Sequence, residues 1–118
     1  MSTILLVEQS PPLQELLITM LNFADYEVKV ARNVVEALHI LTHTAIDLLI
    51  VEPFHEGIEW LASFVGRVPI LILSSAPIKV ARSMAEKVGA AYLSKPFKMH
   101  ALFVIIRRLL AERMPEVA

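Results

Sequence analysis

The stretch Asp47-Leu48-Leu49-Ile50-Val51-Glu52-Pro53 decides how this chain folds. An apolar run of strand length stops at a single carboxylate, and proline follows at once. With no polar residue on alternate positions, such a run reads as a strand covered on both faces, which belongs to a parallel sheet flanked by helices. Upstream, Thr3 to Val7 has the same character and ends at Glu8-Gln9. Downstream, Ile70 to Leu73 repeats it, introduced by Pro69 and followed by Ser74.

Segments of helical period lie between these runs. Ser10 stands where an N-cap belongs, with Pro11 at the first helical position. Leu13, Leu16, Leu17, Met20 and Leu21 then form one stripe. Val28 and Val30 alternate with charged residues, which marks the second strand as an edge. Asn33 and Glu36 have the spacing of a capping box, ahead of a helix with Val34, Ala37, Leu38 and Leu41 inward. A shorter helix is expected over about residues 58–65, with Ile58, Leu61 and Val65 inward. Pro77 opens the next helix, and Gly89 falls at its C′ position. Ala91 to Leu93 forms a short fifth strand. The last helix runs from near Lys98 to about Ala111, with Met99, Leu102, Phe103, Ile106, Leu109 and Leu110 inward.

Strand and helix alternate five times. The pattern predicts an α/β fold: a doubly wound, five-stranded parallel sheet of flavodoxin-like order 2-1-3-4-5, with helices on both faces. The crevice of such a sheet lies at the C-terminal ends of strands one and three. Glu8, Gln9 and Glu52 would line it.

At 118 residues, the chain is expected to be a single domain over 1–118. Its core would span about 3–112, with a frayed tail over about 113–118. It is 56% hydrophobic with a mean hydropathy of +0.61. No apolar run approaches the ~20 residues that span a bilayer, so membrane insertion is not expected. The N-terminus enters a strand without the charged region of a secretory signal, and there is no cysteine. Both features suit the cytoplasm. A net charge of -1 gives no electrostatic case for direct nucleic-acid binding.

Four strand ends together carry a resemblance. Val7-Glu8-Gln9, Glu52, Ser74 and Tyr92-Leu93-Ser94-Lys95-Pro96-Phe97 follow in order and spacing, and Gly89 stands fifteen residues after Ser74. From Ile4 to about Leu110 the chain resembles the response-regulator receiver domain of two-component and phosphorelay signalling. The resemblance implies a phosphoacceptor pocket of Glu8, Gln9, Glu52, Ser74 and Lys95, with Tyr92 as the switch aromatic. It also implies Mg²⁺ at the acidic residues and protein partners, a sensor kinase or a downstream signalling protein.

The departures from the family pattern change that expectation. Glu52 stands where the family has its acceptor aspartate, and its carboxylate reaches further by about one C–C bond, ~1.5 Å. Gln9 replaces the second acid of the pair and adds no charge. Pro53 opens a loop shorter than the family pattern, and Phe54 occupies the place whose carbonyl helps hold the metal. Two acids face one lysine where the family has three. The expectation is a degenerate receiver, not an enzyme, with no cofactor and Mg²⁺ weak at best at Glu8 and Glu52. A direct Glu52–Lys95 ion pair could replace metal and phosphoryl group alike.

Output is expected through the helix opened by Pro77, the fifth strand and the last helix, with Tyr92, Val104, Ile105, Arg107 and Arg108 on the surface. A homodimer through this face is an alternative arrangement. Two rival functions remain at this point: a Mg²⁺-dependent phosphoacceptor that still works, and a small flavodoxin-like cofactor binder or enzyme. The second is disfavoured because Glu8-Gln9-Ser10-Pro11-Pro12 has no glycine to cradle a phosphate. His39, His43, His55 and His100 read as surface residues, and Trp60 and Phe64 as packing at the edge of the core.

Overall fold

The computed structural model describes residues 1–53 and 57–113. Its strands are β1 (Thr3–Val7), β2 (Glu27–Ala31), β3 (Leu48–Val51), β4 (Ile70–Ser74) and β5 (Ala91–Ser94). Its α-helices are α1 (Pro11–Phe23), α2 (Val34–His43), α3 (Ile78–Lys87) and α4 (Met99–Arg113), and a 3₁₀ helix covers Glu59–Phe64. All strand pairs are parallel, in the order β2-β1-β3-β4-β5. The expected fold and strand order are those observed. The tail from Met114, expected to fray, lies outside the described residues, as do Phe54 and His55.

The period of two in the strands divides the core into two layers. Leu5, Val7, Leu49, Val51 and Ile72 face α2, the 3₁₀ helix and α3, through Ala37, Leu61 and Ala85. Ile4, Leu6, Leu48, Ile50 and Leu71 face α1 and α4, through Leu17, Leu21, Leu102 and Ile106. Each fully buried aliphatic side chain contributes about 1.5–3 kcal/mol. Both faces of the three central strands are therefore apolar, and polar groups are left to the strand ends.

Helix boundaries follow local chemistry. Asn33 Oδ1 accepts the Glu36 N–H at 2.9 Å, capping α2. The expected reciprocal bond differs: the Glu36 carboxylate takes the Arg32 N–H at 2.9 Å and pairs with the Arg32 guanidinium. Ser10 precedes α1 with Pro11 at its start, but its hydroxyl makes no capping bond. At the end of α3, Gly89 has φ +61°. Its N–H goes to Glu86 C=O and that of Ala90 to Ala85 C=O, the paired bonds of a Schellman motif. A Cβ at Gly89 would meet only Val65 Cγ1, at an ordinary 3.7 Å. Gly89→Ala should therefore cost only the left-handed backbone, about 1 kcal/mol by denaturant melts. A cost several times larger would mean a steric role that this geometry lacks.

Three helix faces differ from expectation. The segment after β3 is a 3₁₀ helix, in which residues i, i+3 and i+6 stack. Ile58, Leu61 and the partly buried Phe64 therefore share a face, and Val65 is 46% exposed. In α2, Ile40 packs inward and Leu38 turns out. In α1 the buried line is Leu17 and Leu21, which leaves Leu16 on an exposed flank. Trp60 packs at the core edge as expected.

Candidate functional site

The ladder bonds continue past the strand ends and set the site. Glu52 N–H donates to Val7 C=O at 2.9 Å, so the ends of β1 and β3 lie side by side. Lys95 N–H donates to Ser74 C=O at 2.8 Å, which fixes β5 against the end of β4. Glu8, Glu52 and Lys95 thus converge at one edge of the sheet, at the switch point of the topology.

Lys95 Nζ lies 2.6 Å from Glu8 Oε1 and 2.8 Å from Glu52 Oε2. The ammonium bridges the two carboxylates. Its contact with Glu8 is a directed hydrogen bond. Its contact with Glu52 is an ion pair too oblique for one, so the buried Oε2 has charge compensation without an aligned donor. The other Glu8 oxygen, Oε2, accepts from Gln9 N–H at 2.9 Å and Ser10 N–H at 3.4 Å. Gln14 Nε2 donates to Glu8 C=O, tying the first turn of α1 to the end of β1.

The electrostatics follow from burial and charge. Glu8 is almost fully buried, while the side chains of Glu52 and Lys95 keep 20% and 18% of their surface. Burial raises the Glu52 carboxyl above its ordinary pKa; Lys95 pulls it back, and the Glu8 charge pushes it further up. Burial opposes the Lys95 ammonium, but its contacts with Glu52 and Glu8 together outweigh this and raise its pKa. An isolated ion pair would lower the acid. Here two acids share one base, and burial wins at Glu52.

The remaining expected site residues make contacts apart from this bridge. Gln9 contributes its backbone N–H, and its side chain is exposed. Ser74 is buried, with its Oγ accepting the Ala76 N–H at 3.0 Å in the turn leading to α3. Tyr92 is partly buried, and its hydroxyl accepts from Arg82 Nε at 3.3 Å. On α4, Val104 is 45% exposed and Arg107 and Arg108 are solvated. Ile105 instead packs partly against the core, so it does not extend an outer patch with Val104. Its border position beside Leu102 and Ile106 turns it inward.

The sequence reading named a Glu52–Lys95 pair but not the shorter Glu8–Lys95 bond, nor Gln14 and Arg82. Gln14 carries a signal, since it falls one turn into a helix that starts right after Glu8. Arg82 carries none. His39 and His43 stack at 4.3 Å, and among the described residues no three acidic or histidine side chains cluster as metal ligands would.

Mg²⁺, which the fold family implies, wants near-octahedral oxygens at about 2.0–2.1 Å. Here the inward carboxylate oxygens lie on an ammonium and the remaining Glu8 oxygen on two N–H groups. The donor set as arranged does not fit that ion.

The sequence profile of the response regulator receiver domain matches residues 4–107. The chain belongs to this family. This receiver domain is 33% identical over 115 residues to the transcriptional regulatory protein CpxR homolog of Haemophilus influenzae, covering 93% of this chain and 51% of that one. It is 33% identical over 122 residues to the response regulator MprA of Mycobacterium bovis, covering 98% and 53%. The chain thus spans about half the length of these relatives. Among solved structures, the non-phosphorylated HemR receiver domain of Leptospira biflexa superposes with a TM-score of 0.86 at 24% identity, covering 99% of this chain and 100% of that one. The chemotaxis protein CheY4 of Vibrio cholerae superposes with 0.82 at 26% identity, covering 92% and 98%. Receiver domains are signalling modules of two-component systems, and no described helix of this one is long and apolar enough to cross a membrane.

Proposed function

We propose that this receiver domain is an atypical one that works as a protein-interaction module, without an acyl-phosphate cycle at Glu52 and without enzymatic activity. The observation that supports this reading is the Lys95 ammonium between Glu8 and Glu52, at 2.6 and 2.8 Å. Phosphoryl transfer is mostly positioning and charge neutralisation. The longer Glu52 side chain sets its oxygen on the lysine, and the neighbouring acid is engaged by the same cation. The bridge supplies the neutralisation that metal and phosphoryl group would otherwise share, so the pocket rests in one state.

The partner is a protein, a sensor kinase or a downstream signalling protein, bound through the α3–β5–α4 face. Ile78 and Val80 are exposed on α3, and Val104, Arg107 and Arg108 on α4. The test is intact-mass spectrometry after incubation with acetyl phosphate and Mg²⁺. No adduct is expected. A phosphoryl adduct that disappears in Glu52→Gln would show a working acceptor and sink the reading.

A further inference from the structure

The open edge of β2 carries features that neither the pocket nor the α3–β5–α4 face uses. Among the described residues, β2 is a terminal strand of the sheet, paired only with β1. Glu27 N–H donates inward, to Ser2 C=O at 2.9 Å. Backbone direction alternates along a strand, so Glu27, Lys29 and Ala31 bond to β1, while Val28 and Val30 turn their N–H and C=O groups to the free edge. Such an edge is a template for another strand and is commonly guarded by charge. Here the guard has two signs: Glu27 and Lys29 lie on one face, 3.4 Å apart.

We propose that β2 pairs with β2 of a second copy of this chain, antiparallel about a two-fold axis through Val28, joining two sheets into one. In that register each Glu27 stands opposite Lys29 of the other copy, at the pair positions where side chains approach most closely. The two Val28 residues exchange both their backbone bonds. Each Val30 N–H reaches Tyr26 C=O of the second copy; the Tyr26 N–H is already spent on Leu21 C=O. A register centred on Lys29 would let Val28 and Val30 exchange backbone bonds, but it would set the two Lys29 ammonium groups opposite each other and leave Glu27 opposite Ala31. A register centred on Val30 would pair Lys29 with Ala31 and lose the charge match. The edge is therefore complementary to itself in one arrangement, as an isologous interface requires. Val35, 76% exposed on α2, shares a surface groove with Val30, His39 and Ile40 beside this edge, and supplies apolar surface to the contact.

A five-residue strand buries little area, so the dimer is a weak one, in the class of small transient interfaces. Sedimentation velocity of the full chain from about 10 µM to about 1 mM tests it. The apparent mass should climb from 13.2 kDa toward twice that value, and less so in high salt. Glu27→Lys and Lys29→Glu, each alone, should stay monomeric over this range. An equimolar mixture of the two variants should associate again, as should the double swap, because both restore opposite signs across the axis. These residues lie at the surface, and an unchanged circular dichroism spectrum checks that each variant folds. A native chain monomeric at the highest concentration overturns the proposal. So do single variants that associate like the native chain, which assign any dimer to another face, or a mixture that stays monomeric, which removes the register.

Discussion

Lys95→Met lowers the thermal midpoint by roughly 10 °C, the largest effect expected of any exposed or half-exposed position. Removing one partner from a buried ion pair costs about 3–5 kcal/mol because the remaining charge has lost its counter-ion. Lys95 keeps 18% of its side chain in solvent, which puts the cost near the lower end, about 3 kcal/mol. At this chain length, each kcal/mol moves the midpoint by about 4 °C. Two carboxylates are stranded together, and Glu8 has only backbone N–H groups to turn to.

The pH dependence has a definite sign at each end. Lys95 has a raised pKa in the folded state, so its contribution is complete below the unfolded lysine value, about 10.4, and is lost as pH rises through the folded value. Glu52 also has a raised pKa. The folded state holds that proton more tightly, so stability declines as pH climbs from about 4.3 to the folded value above it. Urea midpoints across pH should show both declines in the native chain. Glu52→Gln should remove the acid-side decline and weaken the alkaline one, because burial opposes the Lys95 ammonium and Glu52 and Glu8 outweigh it only together. Lys95→Met should remove the alkaline decline. A midpoint shift under about 2 °C in Lys95→Met would mean that the carboxylates are solvated and the bridge is incidental.

Gln9→Asp combined with Glu52→Asp should create Mg²⁺ affinity roughly tenfold to a hundredfold above that of the native chain, a gain of about 1.4–2.8 kcal/mol. The shorter side chain draws the carboxylate back by about 1.5 Å. That is enough to break the 2.8 Å contact with Lys95 and free an oxygen. The second change restores a third acid against the single lysine, and each added charge near a cation is worth about 1–4 kcal/mol at 4 Å between water and a partly buried site. Isothermal titration with MgCl₂ measures the gain. Glu52→Asp alone should show little of it, because the pocket then still sets only two acids against one lysine. An unchanged affinity in the double variant would place the obstacle in the loop opened by Pro53.

Strands β1, β3 and β4 were legible because each is a near-continuous apolar run ended by a polar residue, a pattern suited to a sheet covered on both faces, and β2 because its valines alternate with charges. Gly89 and Pro77 punctuated α3 correctly for the same local reasons that fix the turns there. What escaped was rotational phase. Leu16 and Leu38 belong to the correct stripes by spacing but lie at their margins, and helical period alone does not say where a margin meets solvent. Val65 was misplaced because the period used was that of an α-helix, whereas the segment winds with three residues per turn. In the pocket, charge counting brought Glu8, Glu52 and Lys95 together. Spacing in sequence does not reveal that Lys95 divides itself between two acids, because that depends on the paths of three long side chains.

The bridging cation is part of the polypeptide, and this has a consequence for how such a domain carries information. A bound ion has a dissociation constant, and a phosphoryl group has a lifetime; a tethered ammonium has neither, and its effective concentration at the two acids is set by the backbone. In the proposed reading, chelators and phosphatases have nothing to act on there. The quantity a cell can vary is then the number of copies of the chain, and the domain reports its own abundance.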